Sequence, residues 1–474
     1  MIESFHINYP EMVVQKSKGL TESEEKLATL GYRTFLQLWS YPNPYKMQDN
    51  GQELCDMLVV FDNHIIIFSD KDCLYRKSGD PQVDWRRWYK AAIHKSVRQL
   101  VGAKNWITNH PDRIAIDAKC KKKFPFKIEI TKDTKFHLIA VAHGASERCK
   151  EHFSGGDGGL CINNQIVENM HIGSNCQPFY IGQVLADEQN FVHVFDDASY
   201  ANILQELDTI QDFIRYLEAR KELLLTKAVF AESENNILAL HIQGVIRGNA
   251  HHLQILSEDC NIVTLTGQML EDVKQSPQYI SWKKKMFVSY FWDEMLQKTF
   301  FFIENGLSSY ISHPTVQDQS RLFERMASED RAHRYVLATG FLSFLSSVDP
   351  DVRGTRIICD PDNPDTAYLL FLLPRKESIE DSVYRDVRRG MLVDYCMIAK
   401  LDYPPIQHIV GVALESNSKE YSSEDFVYLD VTNWTDEQQQ EALSLKMEYQ
   451  RIGALATRLR NERHFDFKSL ERSY

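Results

Sequence analysis

No apolar run in the 474 residues approaches the roughly 20 that a helix needs to cross a bilayer, so nothing reads as a membrane span. Cysteine is present without a pattern: nine residues are scattered singly, with no CxxC and no regular spacing. That excludes a disulfide framework and a zinc ribbon, and it leads to an expectation of reduced thiols in a cytoplasm. The opening MIESFHINYPEMVVQ lacks the basic-then-apolar order of a secretory signal, which supports the same expectation. Positive charge is in deficit. Lys and Arg number 54 against 66 Asp and Glu, a formal net charge of −12, so the broad basic footprint of a protein that grips many phosphates is missing. Any nucleic-acid contact must be local or shared with a partner. There is no G-x-S-x-G nucleophile elbow. The glycine-rich SGGDGG at 154–159 lacks the lysine and Ser/Thr of a phosphate cradle and reads as a flexible loop.

With 43% hydrophobic and 25% charged residues, the chain has the composition of a globular protein, and its length calls for more than one domain. We expect an α/β domain over 1–225, a mainly helical region over 226–345 and a small α/β domain over 346–474. A helix is expected over 21–40. Thr21 and Glu24 form a T-x-x-E capping box there, and Leu27, Ala28, Gly31, Phe35 and Leu38 share a face centred on Glu24. Pro42 and Pro44 close it. Strands are expected next at 57–61 and 64–68, joined by the two-residue turn Asp62-Asn63. A long helix over 84–106, strands at 126–130, 136–143, 179–181 and 191–195, and a helix over 200–225 complete the domain. The Gly- and Asn-rich stretch 145–178 reads as a long surface loop. Beyond 350, strands are expected at 357–359, 367–373 and 408–414, with helices over 379–400 and 435–460. The fold class is α/β: a mixed central sheet flanked by helices, then a helical segment and a second small α/β unit.

The informative stretch is GQELCDMLVVFDNHIIIFSDK at 51–71. A turn at Asp62-Asn63 pairs residues whose numbers sum to 125, so Phe61 opposes His64, Val59 opposes Ile66 and Asp56 opposes Ser69. Lys71 lies two residues beyond Ser69, on the same face, while Asp70 points to the other side. Gln99 lies on the inward stripe of the following helix, with Trp85, Trp88, Ala92, Ser96, Ala103 and Trp106.

A carboxylate, an apolar hairpin and a short polar segment ending in lysine resemble the PD-(D/E)xK restriction-endonuclease-like superfamily, over about residues 20–220. The resemblance implies a Mg²⁺-dependent (or Mn²⁺-dependent) nuclease. Asp56 is then the main metal ligand, Lys71 positions and activates the attacking water, Glu24 is the glutamate of the preceding helix, and Gln99 the glutamine of the following one. Hard cations prefer such carboxylate oxygens, and a lysine offsets charge that develops on the phosphorane-like transition state. The family's acidic residue two before the lysine falls at Ser69, which cannot carry that charge. Glu24 replaces it as second ligand, or a register shift brings in Asp70, or the site has lost activity.

The implied substrate is DNA or RNA. The half of the chain after 226 would supply grip, a protein partner surface or control, and the architecture is analogous to bacterial defence or restriction machinery. Two rivals stand beside this: a nuclease-fold binding module without catalysis, and a scaffold subunit. Plainer readings exist for the residues too. Asp56 and Lys71 can be a salt bridge at a hairpin end, Glu24 only a capping partner, and Gln99 a core amide. Glu53 is a candidate additional ligand, but by alternation it faces away from Asp56, which favours a structural reading. Lys119, Lys121, Lys122, Lys123 and Lys127 read as an exposed loop, His251-His252 as surface, and the basic segments 283–285 and 321–334 as candidate phosphate contacts.

Overall fold

The computed structural model describes residues 17–48, 51–125, 127–247, 260–304, 320–359, 364–376, 378–416 and 424–455. The chain divides into two compact units, Met1–Lys284 and Lys285–Tyr474. Among the described residues no helix is long and apolar enough to cross a membrane. Cys55, Cys73, Cys120, Cys149, Cys161, Cys176, Cys260 and Cys396 are free thiols. His251-His252 lies outside the described residues.

Helix α1 (Glu22–Thr34) opens the first unit. The Thr21 hydroxyl accepts the Glu24 N–H at 3.3 Å, and Leu27, Ala28 and Gly31 are buried on the expected face. The helix stops short of residue 40 because Leu36 takes φ +57; a separate turn, Leu36–Trp39, leads into β1 (Ser40–Pro42). β2 (Met57–Phe61) and β3 (His64–Asp72) form the hairpin. Its register is the one the turn dictates: Phe61 opposes His64, Val59 opposes Ile66 and Met57 opposes Phe68. α2 (Pro81–Tyr89) and α3 (Lys95–Asn109) come after it, joined by a π turn at Lys90–His94 where a single regular helix was expected. Residues 127–130, expected as a strand, are irregular, and Phe126 lies outside the described residues.

β4 (Lys135–His143) comes next. The stretch expected as one surface loop instead holds α4 (Ser146–Phe153) and β5 (Cys161–Val167). Residues 172–179 are loop, as is the glycine-rich 154–159 segment, which is tied down. Asp157 accepts from Ser233 Oγ at 2.6 Å and from Asn235 Nδ2 at 2.8 Å. β6 (Tyr180–Gln183), β7 (Val192–Asp196), α5 (Tyr200–Glu206), α6 (Ile210–Thr226), β8 (Ala228–Ala231), α7 (Glu234–Ile246) and β9 (Ile262–Leu265) complete the succession.

Five strands build a mixed central sheet in the order β1-β2-β3-β4-β7. The first three alternate antiparallel, whereas β4 runs parallel to both β3 and β7. Leu138 to Ala142 are all buried, as a parallel strand covered on both faces requires. α3 packs on β3 and β4 from one side. Phe35 and Phe213 meet Phe68 from the other.

A second sheet runs β9-β8-β5-β6, and it carries the first unit past the boundary expected at 225. β8 pairs antiparallel with β5 and parallel with β9, so these two strands complete the sheet beyond residue 225. Buried Glu234 of α7 also neutralises buried Arg220 of α6, at 2.7 and 2.9 Å.

In the second unit, α8 (Arg331–Ser347) precedes β10 (Gly354–Cys359), β11 (Thr366–Leu373), α9 (Asp381–Asp402), β12 (His408–Glu415), β13 (Asp425–Asp430) and α10 (Asp436–Arg451). The sheet order is β10-β11-β12-β13, with β11 and β12 parallel across the α9 crossover and both edges antiparallel. β13 was not expected; Arg385 and Arg388 of α9 hold it through buried Asp425, each at 2.7 Å. Arg331 and Arg334 are buried on Asp293 at 2.8 and 2.6 Å. They are core residues and do not face a phosphate.

Candidate active site

The hairpin register puts Asp56 beside the end of β3. Its peptide N–H donates to the Phe68 carbonyl at 3.0 Å, and its Oδ2 accepts the Asp70 N–H at 2.5 Å. Lys71 Nζ donates to the same oxygen at 3.2 Å. From α3, Gln99 Nε2 donates to Asp56 Oδ1 at 3.4 Å, and its own Oε1 accepts from Ser69 Oγ at 3.0 Å. Asp56, Ser69, Lys71 and Gln99 therefore meet, as alternation along β3 requires. Asp70 turns to the opposite face, where its Oδ2 lies 3.0 Å from His143 Nε2. In this register its carboxylate stays out of the cluster, and only its peptide N–H takes part.

Glu24 arrives through an intermediary. Its Oε2 accepts from the Leu20 N–H at 2.8 Å and from Asn43 Nδ2 at 2.9 Å. The same Nδ2 donates to Glu53 Oε1 at 2.8 Å, and the Asn43 peptide N–H donates to the Asp56 carbonyl at 2.9 Å. Ser17 Oγ completes the hub by donating to Asn43 Oδ1 at 2.8 Å. The capping box is thus half formed, because the Glu24 carboxylate takes Leu20 and Asn43 and leaves the Thr21 N–H. Glu53 joins the cluster because residues 54–55 are irregular, so strand alternation does not run through them. Asn43 is the residue that sequence reasoning missed, and Glu53 one that it oriented away from the cluster. The available signal was Pro42-Asn43-Pro44: prolines restrict the flanks, and asparagine tolerates the left-handed φ of +45 observed there.

Burial pushes the Asp56 carboxyl up from 3.8 to about 6. Lys71 and the Asp70 N–H pull it down, and Glu53 and Glu24 push it further up. Asn43 links Glu24 and Glu53 to the Asp56 backbone, but among the described residues these three carboxylates do not form a group whose oxygens all lie within 4.8 Å of one another. The Gln99 contact to Oδ1 is long, so that oxygen can change partner with least loss. Ser69 is wholly buried and offers only a neutral hydroxyl.

Behind this corner, His143 sits between Asp70 and Asp197, with its Nδ1 2.7 Å from Asp197 Oδ1. Burial lowers the imidazole pKa, but hydrogen bonds to Asp197 and Asp70 outweigh it and carry the value up to about 10. The resulting clamp fixes Asp70, and with it the peptide N–H that holds Asp56.

A basic loop hangs from a neighbouring element. The Asp117 carboxylate accepts the peptide N–H groups of Lys119, Lys121 and Lys122 at 3.0, 3.3 and 2.5 Å, curling the loop. The side chains of Lys119, Lys121, Lys122 and Lys123 are exposed. Gly51, at φ +60, lies against this loop so closely that a Cβ would meet the Ala118 carbonyl at 2.2 Å. Gln52–Glu53, Tyr45–Lys46 and Ile114–Ala115 form one small sheet, so the Glu53 edge and the basic loop share a support. Lys283 does not add to it, because it pairs with Glu206 at 2.8 Å.

No protein-family model, no curated protein and no solved structure matches the chain. The residues and their geometry are what speak for a function.

Proposed function

We propose that the first unit is a divalent-metal-dependent nuclease of the PD-(D/E)xK restriction-endonuclease-like kind, hydrolysing phosphodiester bonds in DNA or RNA. One observation carries the reading: Lys71 Nζ stands 3.2 Å from Asp56 Oδ2, with Gln99 on the other oxygen of that carboxylate and Glu24 and Glu53 joined to the Asp56 backbone through Asn43. The helix bearing Glu24, the hairpin bearing Asp56 and Lys71, and the helix bearing Gln99 succeed one another in the order that the resemblance implies.

Asp56 would hold Mg²⁺ (or Mn²⁺) with Glu53 or Glu24. Such an ion, when bound, polarises the phosphodiester and lowers the pKa of its water. Lys71 supplies positive charge where the phosphorane-like transition state becomes more negative. Gln99 orients Asp56, and Ser69 orients Gln99. The loop lysines offer the local phosphate contact that a chain of net charge −12 needs. The second unit would provide a partner surface or control, and a place in bacterial defence remains an analogy of architecture.

A second reading is a nuclease-fold binding or scaffold subunit without catalysis. Ser69 favours it, since the position the family fills with a carboxylate is a buried hydroxyl given to Gln99. The two readings part in one experiment with supercoiled plasmid, single-stranded DNA and RNA under Mg²⁺ or Mn²⁺. The parent should cleave at least one. Asp56→Asn and Lys71→Met should each cut activity by about 10²-fold or more at unchanged melting temperature. Mn²⁺ binding without cleavage of any substrate assigns the binding module, and neither binding nor cleavage sinks the nuclease and leaves the scaffold.

A further inference from the structure

His64, at the start of β3, and His137, on β4, project from the face of the central sheet that α6 covers. In the parallel register Ile66 lies beside His137, so His64 is its diagonal neighbour on the same face. His64 Nδ1 is 2.9 Å from His137 Nε2, with the rings stacked at 12°. Glu218 of α6 reaches the same point, and one ligand atom from each of the three lies within 4.8 Å of the others. His137 is 7% exposed, whereas His64 and Glu218 stand at the rim. The convergence is tertiary: two strands and a helix each bring one ligand.

We propose that His64, His137 and Glu218 form a second metal site, for a zinc-class divalent ion, which clamps the beginnings of β3 and β4 to α6. Nitrogens about 2.1 Å from a metal are about 3.0 Å apart at a right angle and about 3.4 Å apart in a tetrahedron, so the pair needs to open by at most about half an ångström. Two imidazoles and one carboxylate select zinc-type ions over Mg²⁺, whereas the carboxylates proposed at Asp56 would favour Mg²⁺ or Mn²⁺. The sites are separate. Seven residue steps along β3 separate His64 from Lys71, about 23 Å at strand rise. Three protein ligands at a rim leave a position for water. The competitor is Lys135, whose Nζ lies 2.6 Å from Glu218 Oε1. Its side chain is 53% exposed and can swing into solvent.

The test is zinc binding by the full-length chain in excess Mg²⁺, read by metal content after dialysis, by titration and by melting temperature. The expected result is one zinc per chain that Mg²⁺ does not displace, with a raised melting temperature. His64→Ala and Glu218→Gln, both at rim positions that tolerate change, should weaken zinc at least about tenfold and remove the zinc-dependent rise. Lys135→Met should tighten binding, because it deletes the cation competing for Glu218. Asp56→Asn should leave zinc binding as it is, whatever becomes of nucleic-acid cleavage. The proposal is overturned if the parent binds no zinc, or if His64→Ala and Glu218→Gln bind it as the parent does, which would place the ion on cysteines. It is equally overturned if Lys135→Met weakens binding, or if Asp56→Asn abolishes it.

Discussion

Asn43 donates one amide nitrogen to both Glu24 and Glu53 from a backbone held at φ +45. Replacing it by alanine removes both bonds, leaves two buried or half-buried carboxylates without their shared donor, and adds a left-handed backbone cost. Asn43→Ala should therefore destabilise the first unit by about 2 kcal/mol or more in urea unfolding; an unchanged midpoint would deny the hub its role. Ser69 offers the complementary experiment. A glutamate in its place adds volume and charge to a closed corner beside Asp56, so Ser69→Glu should cost about 1–3 kcal/mol without metal. Mn²⁺ should then raise its melting temperature more than it raises the parent's. Equal shifts in the two proteins would mean that this position does not border a metal site.

α6 and α7 show how much of the first unit rests on buried charge. Arg220 and Glu234 are 3% and 2% exposed and share two hydrogen bonds, and Tyr216 donates to the same carboxylate. Glu234→Gln leaves the guanidinium without its counter-charge and should cost about 3–5 kcal/mol in equilibrium unfolding. His241 of α7 sets a pH dependence. Burial, with the charge of Arg215 behind it, lowers its pKa from 6.5 to about 4; the Tyr216 ring meets it edge-on, and its Nδ1 lacks a hydrogen-bond partner. The unfolded chain takes up this proton near pH 6.5, whereas the folded chain resists until about pH 4, so stability falls as the pH drops between those values. The share is about 3 kcal/mol. His241→Leu cannot charge and should flatten the acid limb of stability against pH by that amount. A limb as steep as the parent's places the sensitivity in other groups, of which His137 and His193 shift in the same direction.

At the scale of the chain, the first unit ends at Lys284, not near 225. A compositional shift comes after α6, but β8 and β9 return to the sheet of β5 and β6, and α7 brings Glu234 to Arg220. A fragment 1–284 should therefore melt cooperatively. A fragment 1–225 should not, because it exposes the edge of β5 and strands Arg220 in its core. Circular dichroism melts of the two fragments decide this, and cooperative melting of the shorter one would return the boundary to α6. Protease cleavage within 221–236 is not expected, since most of those residues lie in α6, β8 and the start of α7.

The sequence by itself determined the hairpin and the side-chain cluster at its end. A two-residue turn and a period of two leave one register, and that register alone brings Asp56, Ser69 and Lys71 together while sending Asp70 away. The inward faces of α1 and α3 were legible for the same reason, because helical spacing is a local property. α4 and β5 were hidden by the glycine-rich loop between them, and β13 by the absence of any helical or turn signal strong enough to mark it. Glu53 was misplaced because two irregular residues broke the alternation used to orient it. Only the tertiary structure decided the Asn43 hub, the pairing of β8 with β5, and the meeting of His64, His137 and Glu218. These contacts join residues far apart in the chain, and their partners are chosen by how sheets and helices pack, for which neighbouring residues carry no code.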